Sequence, residues 1–245
     1  MIVQGGKNIY GYDLGILMLE SHFPRIVGDV GNARTWNFPV LYKVVRGSLP
    51  QKVVLDLQDE DLKPFIEAAQ ELEAAGVRAI TTSCGFLSLF QEKIARVLHV
   101  PLFTSALMLV PSLLLAFQGK KLLILTANSK TLTQRHLQAV GIDSALQGTA
   151  FDIVGTEDRE MFTNFTVQNW DSVDTEVCER EIIACLEEAL AKDRYAGILL
   201  ECTNMPPYSD SIRLRFHLPV FDFVSLVNFV QSSMSFNAFM PRKNW

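Results

Sequence analysis

The sequence lacks the features that mark several large classes of protein. No stretch is dense in Lys or Arg, and the 245 residues carry a formal net charge of −5, so we expect no nucleic-acid partner. The longest apolar run, residues 106–117, contains Pro111 and Ser112 and is shorter than the roughly 20 apolar residues of a membrane span. From Met1 to Asp13 no basic segment precedes an apolar one. We therefore expect no secretory signal and no membrane association, but a soluble, cytoplasmic protein.

Cysteine is also scarce, and its spacing argues against metal. The four cysteines stand at positions 84, 178, 185 and 202, and none forms the close Cys/Cys or Cys/His pair of a structural zinc site. In a chain of this length without a secretion signal, reduced thiols are expected. Cys178 and Cys185 share one face of a predicted helix, which indicates core packing. We predict neither a metal nor a cofactor.

Short apolar runs alternate with amphipathic stretches of helical length. Strands are predicted at Leu14–Leu19, Val40–Val45, Arg78–Ser83, Pro101–Ser105, Lys121–Ala127, Phe151–Gly155, Ala196–Glu201 and Pro219–Phe223. Helices are predicted at Asp59–Ala75, Gly85–Leu98, Ser129–Val140 and Thr175–Lys192. Apolar strands that alternate with helices indicate a parallel sheet in an α/β fold. Ser21–Pro39, with two prolines and two glycines, has no clean period and reads as a long loop of the kind that builds binding sites.

An internal repeat divides the chain into two similar halves. When Ile80–Phe103 is aligned with Ile198–Phe221, an offset of 118 residues, six of 24 positions are identical without a gap. The identities include Cys84 with Cys202, and His and Pro pairs that apolar patterning alone does not explain. We predict two pseudo-symmetric parallel-sheet α/β halves with the active site in the cleft between them. The first half spans residues 1–105 with 220–245 packed back onto it, and the second spans 106–219.

The repeat places one cysteine at the same point of each half. Cys84 and Cys202 each follow a predicted strand and begin a helix, at the sheet edge where parallel folds bind ligands. A helix N-terminus is expected to lower a thiol pKa and to offer backbone N–H groups to an anion. If the halves face each other, one thiolate can take a proton from a carbon while the other thiol returns one to its opposite face. Such two-base chemistry needs no cofactor.

At these residues the sequence resembles the aspartate/glutamate racemase superfamily, which also contains hydantoin racemases, maleate isomerases and arylmalonate decarboxylases. The matching segments are Gly197–Thr203, a strand that ends in Cys-Thr, and Ala79–Cys84, the strand before the first Cys. A third is Thr126–Ser129, where the family supplies hydroxyls to a substrate carboxylate. Amino-acid racemases of the family usually follow the first Cys with Asn-Thr, whereas Gly85-Phe86 follows here. The substrate of any one member therefore does not carry over.

The candidate site follows from the strand ends and the resemblance together. Cys84 and Cys202 are predicted to be catalytic. The predicted substrate-binding residues are Glu20, Ser21, Ser83, Gly85, Thr126, Asn128, Ser129, Thr203 and Asn204. Glu201 is expected to point to the other face of its strand, where a structural ion pair is favoured over a role at the site. His99 and His217 are expected to cap helices, and whether Glu20, Glu201 or either histidine takes part in the site stays open. The roles of His22 and Trp36 in the first loop stay open.

The resemblance implies a pyridoxal-phosphate-independent racemase or epimerase that inverts the carbon α to a carboxylate, on an aspartate- or glutamate-like amino acid or a derivative. Alternatives within enzymes are hydantoin racemisation, maleate-type cis–trans isomerisation and arylmalonate-type decarboxylation, in which one Cys acts as nucleophile or sole proton donor. The alternative outside enzymes is a non-catalytic protein that binds a small carboxylate. A small carboxylate is the expected partner, and a homodimer is common for such folds.

Overall fold

The computed structural model describes residues 5–234, and they form two four-stranded parallel sheets flanked by helices. The first sheet has the order β2-β1-β3-β4 and the second the order β6-β5-β7-β8. The strands are β1 (Leu14–Leu19), β2 (Val40–Val45), β3 (Ala79–Thr82), β4 (Leu102–Phe103), β5 (Lys121–Thr126), β6 (Phe151–Gly155), β7 (Tyr195–Leu200) and β8 (Val220–Phe221). All eight predicted strands are present. The predicted α/β class with two parallel-sheet halves is confirmed.

The central strands are buried along most of their length, as strands covered on both faces should be. Every residue of β1 and of β3 is buried, and in β5 only the first residue is partly exposed. The predicted bounds hold for β1, β2 and β6, whereas β3 and β7 end before the residues that precede the cysteines. Ser83 and Glu201 therefore lie in the turns after their strands.

Nine α-helices connect the strands of the described chain. They are α1 (Pro50–Leu55), α2 (Leu62–Ala75), α3 (Gln91–Ala95), α4 (Val110–Phe117), α5 (Gln134–Gln138), α6 (Glu160–Thr166), α7 (Thr175–Leu190), α8 (Ser209–Phe216) and α9 (Phe223–Met234). Two of the four predicted helices are confirmed in α2 and α7. No helix within residues 5–234 combines the length and apolar character that crossing a membrane requires.

The other two predicted helices are wrong in length. Gly85–Phe90 is a 3-10 helix whose six residues are all buried, and only Gln91–Ala95 is α-helical. In residues 129–140 the helix begins at Gln134, because Thr133 and His136 form a capping box there. The preceding turn is closed by Asn128, whose side-chain oxygen accepts hydrogen bonds from two backbone N–H groups. Local side-chain bonds of this kind compete with helix formation.

The backbone register confirms the internal repeat. Ile80 and Thr81 pair with Leu102 and Phe103 in the first sheet, and Ile198 and Leu199 pair with Val220 and Phe221 in the second. All four pairs of equivalent residues differ by the predicted offset of 118. The hydrogen bond from the backbone N–H of Ile80 to Pro101 and the one from Ile198 to Pro219 are both 2.9 Å. The two halves are thus built on one plan, with their cysteines in equivalent turns.

The end of the chain differs from the expected division into 1–105 with 220–245 and 106–219. β8 pairs with β7 in the second sheet, so assigning residues 220–221 to the first half is wrong. β8 occupies the same position in the second sheet as β4 does in the first, as the duplication predicts. The end of α9 does reach the first half, because Arg78 donates a hydrogen bond of 2.9 Å to the Met234 carbonyl. The rest of the predicted C-terminal segment, 235–245, lies outside the described residues.

Candidate active site

Cys84 and Cys202 line one cavity between the two halves. Each lies two residues beyond the end of a strand, β3 for Cys84 and β7 for Cys202. The cavity has a volume of about 20 Å³, which is room for about one water molecule. Its lining includes the apolar residues Leu19, Phe23, Pro50, Val54, Phe86, Ala127 and Val167 and the polar residues Ser83, Thr166, Glu201, Thr203 and Asn204. The structure thus gathers both predicted catalytic residues at one closed, mostly apolar site.

Burial governs the acidity of both thiols. It raises the pKa of Cys84 to about 12; the charge of Glu201 adds to the rise, while the backbone N–H of Phe86 and the charge of Arg25 oppose it. The pKa of Cys202 is raised well above its usual value, first by burial and then by Glu201. The prediction that helix N-termini lower these pKa values is wrong. Cys84 precedes a short, buried 3-10 helix, and the loss of water outweighs the few backbone N–H groups there.

A hydrogen-bonded chain connects Cys202 to the long first loop. The thiol of Cys202 donates to Asn204 Oδ1 over 3.5 Å, and Asn204 Nδ2 donates to Asp29 Oδ2. Asp29 is 1% exposed and also accepts from Gly31 N and from Arg25, whose guanidinium lies 2.8 Å away. The predicted residue Asn204 therefore lies at the site, held by a carboxylate that sequence reasoning missed. Nothing in the spacing of the chain connects positions 29 and 204.

Ser83, Gly85 and Thr203 form the contact between the two cysteine turns. Thr203 Oγ1 donates a hydrogen bond of 2.6 Å to the carbonyl oxygen of Ser83. Ser83 Oγ accepts a hydrogen bond of 2.9 Å from the backbone N–H of Leu19, at the end of β1. These three predicted residues all line the cavity. Their own hydrogen bonds fix the geometry of the backbone around the thiols.

Glu201 lines this cavity and forms no ion pair with any residue in the described part of the chain. Its side chain is fully buried and accepts a hydrogen bond of 2.7 Å from Thr126 Oγ1. Burial raises its pKa to about 7, and the Thr126 hydroxyl acts in the opposite direction. The expectation that Glu201 points to the other face of its strand and forms a structural ion pair is wrong. Because β7 ends at Leu200, the alternation of side chains between the two faces of a strand no longer applies at residue 201. The repeat gave a signal that could have found it, since the offset of 118 pairs Glu201 with Ser83.

Five of the predicted substrate-binding residues, Thr126 among them, do not line the cavity. Glu20 accepts from the backbone of Gly47 at 2.7 Å, and Ser21 accepts from Arg25 at 3.0 Å. Asn128 caps its own turn, and Ser129 bonds the side chain of Glu157. Each lies near the predicted sheet edge but forms a hydrogen bond with another part of the protein. A position at that edge was therefore not enough to predict that a side chain lines the cavity. Thr126 reaches the cavity only through Glu201.

The remaining candidates have structural surroundings. Cys178 and Cys185 are buried in α7, as predicted, and all four cysteines are free. His99 is exposed beside Glu73, four residues beyond the end of α3, so its expected position at a helix end is wrong; His217 ends α8 in the left-handed conformation. Trp36 Nε1 donates to Val30 O and to Tyr42, which anchors the first loop. Within residues 5–234, no cluster of three or more His, Cys, Asp or Glu side chains could hold a metal ion.

Comparison with known proteins places the chain in a family. A family model described as Asp/Glu/Hydantoin racemase matches residues 51–227. The chain belongs to this family. The resemblance predicted from the two strand-Cys segments is thereby confirmed. An allantoin racemase from Klebsiella pneumoniae has a similar structure, with a TM-score of 0.62 at 16% identity over 90% of this chain and 87% of that one. This likeness supports the fold.

The curated relatives of this family member are lyases. Dimethylsulfoniopropionate lyase 7 of Emiliania huxleyi is 33% identical over 95% of this chain and 70% of that protein. A dimethylsulfoniopropionate lyase of Durusdinium sp. clade D is 32% identical over 91% of this chain and 75% of its own. The chain spans only 62% of the length of two further lyases of the first organism. The family resemblance implied an amino-acid racemase, whereas these relatives are named as lyases.

Proposed function

We propose that this chain is a lyase that removes a proton from the carbon α to a carboxylate and expels a sulfonium group from the β carbon. Dimethylsulfoniopropionate, the substrate named for the relatives, has this layout, because its charged sulfur is bonded to the carbon β to the carboxylate. Relationship to those lyases over 91–95% of the chain supports the proposal. Homology thus supports the enzyme class, and the lining of the site supports the class of substrate.

The charge of the cavity lining is the observation that carries the proposal. Among the described residues that line it, the ionisable side chains are Cys84, Cys202 and Glu201, and all three are acids. Arg25 acts on Cys84 from nearby but is paired with the buried Asp29. Phe86 also lines the cavity, and aromatic rings attract onium groups, whereas the ring of Phe23 already has the Arg25 guanidinium 4.5 Å from its centroid. This lining favours a small carboxylate that carries a cationic group over a dicarboxylate of net negative charge.

The reaction needs one base and a leaving group. A cysteine thiolate takes the α proton, the electron pair of that C–H bond forms the C=C bond, and the C–S bond breaks with its pair on sulfur. The products are neutral dimethyl sulfide, acrylate and the protonated thiol. The positive charge on sulfur makes the α C–H bond more acidic. The sulfur then leaves as neutral dimethyl sulfide and needs no proton. Both thiols are buried, and such surroundings strengthen electrostatic stabilisation of the developing charge.

The surroundings of the two thiols favour Cys84 as the base. The Cys202 thiol faces Asn204 Oδ1, an acceptor that the bond to Asp29 keeps in place. A thiolate at Cys202 would face this oxygen and the charge of Asp29, which raises its pKa further. Cys84 instead has Arg25 among its neighbours, and this cation lowers its pKa. Cys202 is then the neutral partner that lines the opposite side of the substrate.

Racemisation of an amino acid or derivative remains the second candidate. The observation in its favour is that the thiols stand in equivalent turns of two duplicated halves and line one cavity. A racemase of this kind uses both thiols, one on each face of the α carbon. The lyase needs only one thiolate, so the two candidates differ in what loss of Cys202 should do.

Proton NMR in deuterium oxide tests both candidates in one experiment. Wild type is incubated with dimethylsulfoniopropionate and, separately, with both enantiomers of aspartate, glutamate and small hydantoins. We expect the vinyl signals of acrylate from the sulfonium compound and no inversion of the others. Cys84→Ser should lower the elimination rate by at least about 10³-fold, the scale of losing a general base. Cys178→Ser, a buried thiol outside the cavity, is the matched control and should keep the wild-type rate.

The result for Cys202→Ser decides between the two candidates. The lyase should keep measurable acrylate formation in this variant, because Cys84 remains. If wild type yields no acrylate but exchanges or inverts the α-hydrogen of an amino acid or hydantoin, the lyase proposal is wrong. Loss of inversion in both cysteine variants would then establish the racemase.

A further inference from the structure

Glu201 is a buried carboxyl group at the candidate site with half of its hydrogen-bonding capacity unused. It is fully buried, and its Oε2 accepts a hydrogen bond of 2.7 Å from Thr126. Its Oε1 has no hydrogen-bond partner among residues 5–234. A buried carboxylate oxygen without a partner is costly. The arrangement is less costly when the carboxyl is protonated, and this makes Glu201 a place where a proton can be stored.

Gly85, directly after Cys84, provides the space for this carboxyl. A side-chain carbon at position 85 would collide with Glu201 Oε1 and would lie 2.6 Å from the Glu201 carbonyl oxygen. The φ angle of Gly85 is not positive, so the requirement for glycine is steric rather than conformational. The carboxyl of Glu201 therefore packs against the backbone of the residue that follows the base.

The two thiols and Glu201 cannot all be charged in so small a cavity. The negative charge of Glu201 raises the pKa of both Cys84 and Cys202, and burial raises the pKa of Glu201 to about 7. When two acidic groups share a desolvated site, ionisation of one suppresses ionisation of the other. The other charged side chains near the thiols are Asp29 and Arg25, which are paired. Arg25 lowers the pKa of Cys84 and Asp29 raises that of Cys202, so both favour an exchange of charge between Glu201 and Cys84.

We propose that Glu201 acts through Cys84 as a positioning residue by holding the proton that Cys84 gives up, so that the pair carries one negative charge between them. The resting pair is the thiol with the carboxylate, and the reactive pair is the thiolate with the carboxylic acid. This rests on the proposed function in taking Cys84 as the base. After elimination the α proton is on Cys84 and the first proton is on Glu201. Glu201 then releases one proton to solvent, which balances the conversion of the sulfonium carboxylate to dimethyl sulfide and acrylate.

Sharing one ionisation gives a distinctive dependence of thiolate reactivity on pH. The fraction of the reactive pair rises with pH only until Glu201 ionises, and then it stays constant because both members of the exchange carry the same total charge. A neutral residue at position 201 removes this limit. The thiolate fraction then rises tenfold for each pH unit up to the thiol pKa.

The test measures the rate of iodoacetamide modification at Cys84 against pH, by mass spectrometry of the Cys84 peptide, without any substrate. In wild type the rate should rise to about pH 7 and then level off over roughly the next two pH units. In Glu201→Gln it should keep rising and exceed wild type about tenfold near pH 8. Thr126→Val removes the hydroxyl that favours the carboxylate, so the break in the profile should move to higher pH. Glu181→Gln, whose carboxylate accepts hydrogen bonds from Met161 and Phe162 in α6, is the control and should keep the wild-type profile.

Two outcomes would overturn the proposal. One is a wild-type rate that rises without a break through pH 7, and the other is a break that persists unchanged in Glu201→Gln. If Glu201→Gln does not fold, as judged by circular dichroism, the shift expected in Thr126→Val still decides the matter. Because no substrate is used, a levelling profile with no acrylate formation would keep this inference and reject the lyase. Acrylate formation with an unbroken profile would do the reverse.

Discussion

Thr203, the residue after the second cysteine, donates a 2.6 Å hydrogen bond to the carbonyl oxygen of Ser83, the residue before the first. A second contact joins Gly85 and Glu201. These two residues are the repeat equivalents of Thr203 and Ser83, because position 85 corresponds to 203 and position 201 to 83. Both contacts use side chains of the second cysteine turn: Thr203 donates to Ser83, and the carboxyl of Glu201 fills the space beside Gly85. The duplicated turns therefore keep their shared backbone but differ in the chemistry that they place beside each thiol.

Thr203→Val should weaken both stability and turnover. Valine keeps the shape of threonine but leaves the buried Ser83 carbonyl without its partner, which should cost about 1–2 kcal/mol of unfolding free energy. Displacement of the two cysteine turns should lower kcat/KM by about tenfold. The measurements are urea denaturation and acrylate formation.

Thr81→Val is the matched control for that change. Thr81 is equally buried and donates a 2.7 Å hydrogen bond to the Phe103 carbonyl, between β3 and β4. It should show a similar loss of stability with kcat/KM kept. Equal losses of kcat/KM in both variants would mean that Thr203 acts only through stability.

Gly85→Ala should destabilise the fold through the contact with Glu201. The added methyl group overpacks a fully buried turn, and the unfolding free energy should fall by about 2–3 kcal/mol. Glu201→Ala in the same chain should restore part of this loss, since it removes the carboxyl but leaves the Glu201 carbonyl 2.6 Å away. Gly5→Ala is the control, because its new carbon would meet only the Tyr10 hydroxyl, at 3.8 Å. Simple additivity of the Gly85 and Glu201 changes would contradict the contact.

The pH dependence of stability should reveal the ionisation of Glu201. Its pKa is raised from 4.5 to about 7 in the folded state, so the folded chain binds this proton more tightly than the unfolded chain. The resulting stability is fully present below about pH 4.5 and is lost as pH rises towards 7, a change of about 3 kcal/mol. Glu201→Gln should abolish this loss and be the more stable protein above pH 7. Urea denaturation from pH 4 to 8 measures the difference, and parallel curves would show that Glu201 does not titrate in this range.

The strands were predictable because each buried strand reads as a nearly continuous apolar run, and the duplication was predictable because Cys, His and Pro recur at one offset. The helix over 129–140 was not, since Asn128 and the Thr133–His136 capping box compete with it through side-chain hydrogen bonds. A repeated apolar pattern predicts which side chains are buried. It does not predict which local side-chain hydrogen bonds interrupt a helix.

The candidate site was only partly predictable for a related reason. The repeat placed Cys84 and Cys202 together, but Glu201 was assigned to the wrong side because the strand was taken one residue too far. Asp29 reaches Asn204 across 175 positions, and no local pattern encodes so distant a contact. Glu20 shows the converse, because a carboxylate at the correct strand end found a partner in the backbone of Gly47 instead.

His136 should make the fold sensitive to acid. Its ring is buried against Phe86, which lines the cavity, with centroids 5.4 Å apart. Its Nδ1 accepts a hydrogen bond of 3.1 Å from the backbone N–H of Thr133, while Nε2 has no hydrogen-bond partner among the residues that the structure describes. Burial lowers the pKa of His136 from 6.5 to about 4, and the nearby charge of Arg135 adds to this effect. The folded protein therefore holds this imidazole neutral.

The depressed pKa of His136 gives a contribution of opposite sign to that of Glu201. The unfolded chain takes up this proton near pH 6.5 and the folded chain only near pH 4, so stability present above about pH 6.5 is lost as pH falls, by about 3 kcal/mol. In wild type the two effects oppose each other between about pH 4.5 and 6.5, and the stability curve should be nearly flat there. Glu201→Gln should expose the acid-side slope, and His136→Asn, whose amide oxygen can still accept from Thr133, should expose the alkaline-side slope. His99→Asn, which changes an exposed histidine, is the control. If its curve moves as much as that of His136→Asn, burial of the imidazole is not the cause of the acid sensitivity.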